Sequence, residues 1–126
     1  MNFQGTILLV DDEAHIRKYV GLILRQLGAP RIIEASNGEE GVAAYIRENP
    51  DLVLLDVNMP IMDGMECAKQ VRALKDPVKA KLPIVAITGN ARNYTLDEYK
   101  AAGFNDMLVK PLNFDALVAK VRELTD

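Results

Sequence analysis

Residues 50–64 read PDLVLLDVNMPIMDG. Within this stretch Leu52 to Leu55 is continuously apolar rather than alternating, the pattern of a strand covered on both faces. The run stops on an acid, Asp56, and passes into a turn punctuated by Pro60 and Gly64. A strand buried on both sides needs a layer above and a layer below it, so these residues already argue for a layered α/β domain.

Working outward, similar runs recur at Thr6–Val10, Arg31–Ala35, Ile84–Thr88 and Asp106–Val109, which are read with Leu52–Asp56 as strands. Helical stripes lie between them. Ile16, Val20, Ile23, Leu24 and Leu27 share one face of the first helix, which Gly28 and Pro30 close. Phe114, Leu117, Val118, Val121 and Leu124 do the same in the last. The fourth helix, expected over roughly 92–102, has only a thin stripe, chiefly Leu96 and Tyr99. Strict β-α alternation predicts a parallel sheet between helix layers. A chain of 126 residues suits one domain, expected to span residues 1–126 with no output domain beside it.

The composition is 49% hydrophobic and 26% charged with a net charge of −3, that of an ordinary globular protein with no nucleic-acid footprint and no polybasic membrane anchor. The apolar runs are too short to span a bilayer and no signal-peptide pattern opens the chain, so a cytoplasmic location is expected. The single cysteine, Cys67, is read as a small half-buried residue and His15 as a surface or capping residue rather than a ligand. Tyr45 and Tyr94 are read as helix-packing or surface groups.

In open parallel sheets, binding sites form beyond the carboxyl ends of the strands. There the first strand delivers Asp11 and Asp12, the third Asp56, the fourth Thr88 and the fifth Lys110. Three carboxylates against one lysine call for further positive charge, and a hard divalent cation with oxygen ligands, Mg²⁺, supplies it. Helix capping by Asp11 or Asp12 accounts for one acid but not for two facing a third. A carboxylate beside Mg²⁺, a lysine and a hydroxyl is also equipment for phosphoryl transfer. An aspartate ionised at neutral pH needs no general base, so the expected product is an aspartyl phosphate on Asp56.

The pieces LLVDDE (8–13), PDLVLLDVNMPIMDG (50–64), LPIVAITGNA (82–91) and NDMLVKPL (105–112), in this order and spacing, resemble the response-regulator receiver domains of two-component signalling, chemotaxis regulators among them. The resemblance implies a flavodoxin-like (βα)5 doubly wound parallel five-stranded sheet of order 2-1-3-4-5. It implies that Asp56 takes a phosphoryl group from the phosphohistidine of a sensor histidine kinase or phosphotransfer protein. Asp12 and Asp56 would ligate Mg²⁺ directly, Asp11 through water and Asn58 through its backbone carbonyl. Lys110 would neutralise a phosphoryl oxygen, Thr88 would move towards the phosphoryl group, Gly89 would leave it room, and Asn90 would line the site with Asn58. The face of the fourth helix, fifth strand and fifth helix would then switch to bind a downstream protein partner, in a monomer or weak dimer. One departure stands out: Met107 occupies a switch position where the family usually has Tyr or Phe. Phe104, where small residues are common, alters the same surface.

Turnover on an external substrate is not expected. Phosphatases with an aspartate nucleophile need a second acid two residues later, and here that residue is Asn58. A phosphate-bearing flavin is disfavoured by the acids that follow the first strand. A stand-alone receiver is the preferred reading; a receiver from a longer hybrid kinase or regulator, or a docking module that is never phosphorylated, are the alternatives.

Overall fold

The computed structural model describes residues 5–28, 31–89 and 94–125. Five strands alternate with five helices: β1 (Thr6–Val10), α1 (Ala14–Gln26), β2 (Arg31–Ala35), α2 (Gly38–Glu48), β3 (Leu52–Asp56), α3 (Gly64–Arg72), β4 (Ile84–Thr88), α4 (Leu96–Ala102), β5 (Asp106–Val109) and α5 (Phe114–Thr125). A single 3-10 turn, Lys79–Lys81, precedes β4 among the described residues. All pairings are parallel and the strand order is 2-1-3-4-5, as the resemblance implied.

The continuous apolar runs explain why the sheet is buried twice. Successive side chains of a strand point to opposite faces, so Ile7, Leu9, Leu52, Leu54, Val85 and Ile87 pack under α1 and α5 against Val20, Leu24, Leu117 and Val121. Leu8, Val10, Val53, Leu55 and Ala86 face the other way, towards Ala44, Tyr45, Cys67, Val71 and Tyr99 of α2, α3 and α4. The register sets Val10 beside Ala35 and Leu55, Asp56 beside Ile87, and Thr88 beside Val109. The ends of the strands therefore meet along one edge.

Helix ends follow local chemistry. The Asn37 and Asp63 side chains accept from the backbone N–H groups of Glu40 and Glu66, each at 2.9 Å. Thr95 and Glu98 form a reciprocal capping box on α4. Gly103 closes α4 at φ +113°, a region open to glycine, and a Cβ there would sit 2.5 Å from Arg72 Cγ.

Two expectations change. Of the expected stripe, Leu96 lies outside the core at 41% exposure, while Tyr99 is fully buried as expected and holds α4 together with Ala102. Tyr99 meets Tyr94 and Phe104 edge-on at 5.6 and 5.7 Å between ring centroids, so the helix is short but firmly anchored. Cys67 is fully rather than half buried, and burial, aided by Asp63, pushes its thiol up to about 12, which keeps it inert at neutral pH. Tyr45 packs as one of the two readings expected, a core residue of α2 whose hydroxyl donates to the Lys79 carbonyl. Pro30, Asn90 and the start of α4 expected near Arg92 lie outside the described residues.

Candidate functional site

Each functional side chain stands where a strand gives way to a loop. Asp11 follows β1 and is fully buried. Its Oδ1 accepts from the Glu13 N–H at 2.9 Å, its backbone carbonyl accepts from Arg17 at 2.6 Å, and Arg17 also reaches Glu34 at 3.1 Å. Asp12 is exposed. Asp56 ends β3 at 2% exposure, with Oδ1 accepting from the Asn58 N–H at 3.3 Å. Thr88, fully buried, ends β4, and its carbonyl accepts from the Lys110 N–H at 2.7 Å, which ties the fourth and fifth strand ends together. The peptide bond from Lys110 to Pro111 is cis.

Lys110 bridges the acids. Its Nζ lies 3.3 Å from Asp11 Oδ2, 3.4 Å from Asp56 Oδ2 and 3.8 Å from Glu13 Oε1. Burial works against its charge, but Asp11 and Asp56 outweigh that and hold Lys110 above the ordinary lysine value. Asp56 shows the opposite balance. Burial first, and the neighbouring Asp11 second, push its carboxyl up to about 6 against the pull of Lys110 and the Asn58 N–H.

Two observations bear on a metal. One carboxylate oxygen from each of Asp11, Asp12 and Asp56 can be chosen so that all lie within 4.8 Å of one another. Asp11 Oδ2 is buried with no hydrogen-bond donor aligned on it, although Lys110 stands 3.3 Å away. A buried carboxylate oxygen left in that condition is costly unless a cation completes its surroundings. An all-oxygen donor set at an open strand edge fits a hard divalent ion. The capping alternative accounts for little: the N-cap of α1 is Glu13, and no side chain caps it.

The structure thus brings together Asp11, Asp12, Asp56 and Lys110, with Thr88 at the adjoining strand end. A Cβ on Gly89 would meet nothing within 4 Å, so there is open space beside Thr88. Asn58 is exposed on the loop after Asp56. Met107 lies in β5, partly buried against the cluster that contains Tyr99 and Phe104. His15 is on the surface, 3.3 Å from Glu13.

Three residues of the site were not singled out from the sequence. Glu13 was given no role of its own, and Arg17 carried no local signal because its role is to hold the Asp11 and Glu34 groups of two other segments. Gly64 was read as punctuation, yet a Cβ on it would fall 2.4 Å from the Asp56 carbonyl oxygen and 2.8 Å from Val57 Cα. Its N–H donates to the Val57 carbonyl at 2.8 Å, closing the loop 57–63 onto the end of β3.

Among the described residues, no helix is long and apolar enough to cross a membrane. A sequence profile of the response regulator receiver domain matches residues 7–122. The chain is 31% identical over 117 residues to the chemotaxis protein CheY of Bacillus subtilis, covering 93% of this chain and 94% of that one. It is 36% identical over 115 residues to the CAI-1 autoinducer sensor kinase/phosphatase CqsS of Vibrio cholerae, covering 91% of this chain but 16% of that protein. Of the transcriptional regulatory protein ResD of Bacillus subtilis, 36% identical over 118 residues, it covers 94% of this chain and 47% of the relative. The chain therefore spans only a fraction of several relatives that it matches. Among solved structures, the chemotaxis response regulator CheY4 of Vibrio cholerae superposes with a TM-score of 0.84 at 31% identity, covering 96% of this chain and 98% of that one. The receiver domain of the sensor histidine kinase PA1611 of Pseudomonas aeruginosa, which has a magnesium ion coordinated in its active site cleft, superposes at 0.86 with 29% identity, covering 97% and 98%. Its strand order, its site chemistry and these matches agree: the chain belongs to the response regulator receiver domains, the phosphoacceptor modules of two-component signalling.

Proposed function

We propose that Asp56 is the phosphoacceptor of this receiver and that Mg²⁺ held by Asp11, Asp12, Asp56 and the Asn58 backbone carbonyl serves the transfer. The observation that carries this reading is the buried pair Asp11 and Asp56 bridged by one lysine, with an Asp11 oxygen left without an aligned donor. An Asp56 carboxylate oxygen attacks phosphorus, the bond from phosphorus to the donor's imidazole nitrogen breaks, and its electron pair leaves with that nitrogen. No general base is required, because a carboxyl held near 6 is already largely ionised at neutral pH, and Mg²⁺ held there would favour the ionised form further. When bound, the cation supplies positive charge to the phosphoryl oxygens.

Lys110 pairs with a phosphoryl oxygen and gives up part of its contact to Asp56. Thr88, at the adjoining strand end, answers the new charge with its hydroxyl. Its backbone tie to Lys110 couples that response to β5 and so to Met107, on the face of α4, β5 and α5 that a downstream protein partner reads. Because the acceptor is the protein's own side chain, no turnover on an external substrate is included. The phosphoryl donor is a sensor histidine kinase or phosphotransfer protein, by analogy with the sensor kinases among the relatives. We take residues 1–126 as one receiver unit acting in the cytoplasm. A similar unit makes up 94% of CheY and 16% of CqsS, so the proposal concerns the unit and not its setting.

The test is intact mass after incubation with acetyl phosphate, with and without Mg²⁺, alongside Asp56→Asn. One phosphoryl adduct that needs both Mg²⁺ and Asp56 is expected. No adduct from folded protein would overturn the reading in favour of a docking module.

A further inference from the structure

The sheet pairing of β1 stops at Val10, which lies beside Ala35 and Leu55. The next peptide joins Asp11 to Asp12 and so carries two of the three site acids on its ends. A tilt of that one peptide moves both carboxylates together.

Three ties hold Asp11. Its N–H donates to the Ala35 carbonyl at 3.1 Å, and its Oδ1 accepts from the Glu13 N–H at 2.9 Å. Its carbonyl, part of the peptide to Asp12, accepts from Arg17 Nη1 at 2.6 Å. Arg17 lies in the opening turns of α1, with its side chain only 17% exposed. Nε of the same guanidinium donates to Glu34 Oε1 of β2 at 3.1 Å. One planar fork thus links α1, the residue that leaves β1 and the neighbouring strand, a geometry that a lysine ammonium does not reproduce. What the three ties leave over on Asp11 is Oδ2, the buried oxygen with no aligned donor.

Two simpler roles do not account for this arrangement. An ion pair whose acid is half exposed, as Glu34 is, contributes little to stability. As a bare charge Arg17 works against the site, because it repels a cation brought to Asp11 and Asp12. A positive group kept beside a site that takes a positive ion is explained by what it holds in place.

Resting on the Mg²⁺ site proposed above, we infer that Arg17 is a positioning residue for that site: it clamps the peptide between Asp11 and Asp12 to Glu34 of β2 and so keeps both acids set for the ion. It touches neither the ion nor the phosphoryl group.

The charge and positioning roles predict opposite signs, which makes the test sharp. Calorimetric titration of the whole chain with Mg²⁺ gives the dissociation constant, and urea unfolding in EDTA reads stability separately. Arg17→Met, which keeps much of the side chain's length without the fork, should weaken Mg²⁺ binding about tenfold, the lower end of what the loss of an outer contact costs a metal site. Arg17→Lys keeps the charge but not the fork and should still bind about threefold more weakly than wild type. Glu34→Ala removes the anchor and should share part of the loss, whereas Glu34→Gln, which puts a neutral acceptor in its place, should recover it. With acetyl phosphate, the Mg²⁺ concentration for half-maximal rate should rise by the same factor as the dissociation constant, while the rate at saturating Mg²⁺ stays within about threefold of wild type. Unchanged or tighter Mg²⁺ binding by Arg17→Met would overturn the inference, and so would a loss of stability in EDTA with Mg²⁺ affinity intact. If Arg17→Met does not fold, wild-type affinity in both Arg17→Lys and Glu34→Ala would overturn it equally. A wild-type chain that binds no Mg²⁺ would instead remove the underlying site, and the inference with it.

Discussion

Replacing Asp56 by Asn should stabilise the metal-free protein. In the fold the Asp56 carboxyl is pushed up to about 6, against an ordinary value of 3.8. A carboxyl that holds its proton more tightly folded than unfolded lowers stability as pH rises between those values. The penalty is absent well below 3.8 and fully present above about 6. About two pH units at 1.36 kcal/mol each bound it at roughly 3 kcal/mol at pH 7.5, shrinking to roughly 1 kcal/mol at pH 4.5. The amide keeps the size of the side chain, and the pull of Lys110, 3.4 Å from Oδ2, is already included in that balance. The expected net gain is therefore up to roughly 3 kcal/mol at pH 7.5. Urea unfolding of both proteins in EDTA, followed by circular dichroism at pH 7.5 and 4.5, measures it. Repeating the pH 7.5 series in Mg²⁺ should shrink the difference, because the ion binds the native wild type more tightly and stabilises it by mass action. Lower stability of Asp56→Asn in EDTA at pH 7.5, or a gain that persists undiminished at pH 4.5, would refute the reasoning.

Gly64→Ala should destabilise the protein by at least about 1–3 kcal/mol and slow acetyl phosphate phosphorylation, because the new methyl meets the backbone of Asp56 and Val57 at 2.4–2.8 Å; chemical denaturation and intact mass check this, and wild-type stability would contradict it. Asp12→Asn should weaken Mg²⁺ binding at least about tenfold by titration calorimetry while leaving folding nearly unchanged, since Asp12 is exposed. Tyr45→Phe should cost about 1–3 kcal/mol in urea unfolding, as the Lys79 carbonyl loses the hydroxyl that donates to it.

How much of this could be read from the sequence depended on how local each cause is. Leu52 to Leu55 announced a twice-covered strand because its burial follows from its own residues. All five strands span the residues read for them, and the acids were legible because each ends or follows a strand. Arg17 was not legible, since its value lies in joining Asp11 to Glu34, groups that only the sheet order brings near one another. Gly64 was hidden for a related reason: a missing Cβ matters only once Asp56 and Val57 are folded back beside it. In α4 the periodic stripe gave Leu96 and Tyr99, of which Tyr99 packs and Leu96 does not, and the partners of Tyr99, Tyr94 and Phe104, lie outside the helix. Conformation at a single residue was equally silent, and nothing in MPIMDG says that Ile61 takes a positive φ.

Borohydride trapping of the acyl phosphate after acetyl phosphate treatment in Mg²⁺, followed by peptide mass mapping, tests the central assignment most directly. Reduction converts a phosphorylated aspartate to homoserine and leaves free aspartates untouched. The account predicts homoserine at position 56 alone, with Asp11 and Asp12 unmodified and no trapping in EDTA. Homoserine at position 11 or 12, or trapping that does not depend on Mg²⁺, would contradict it.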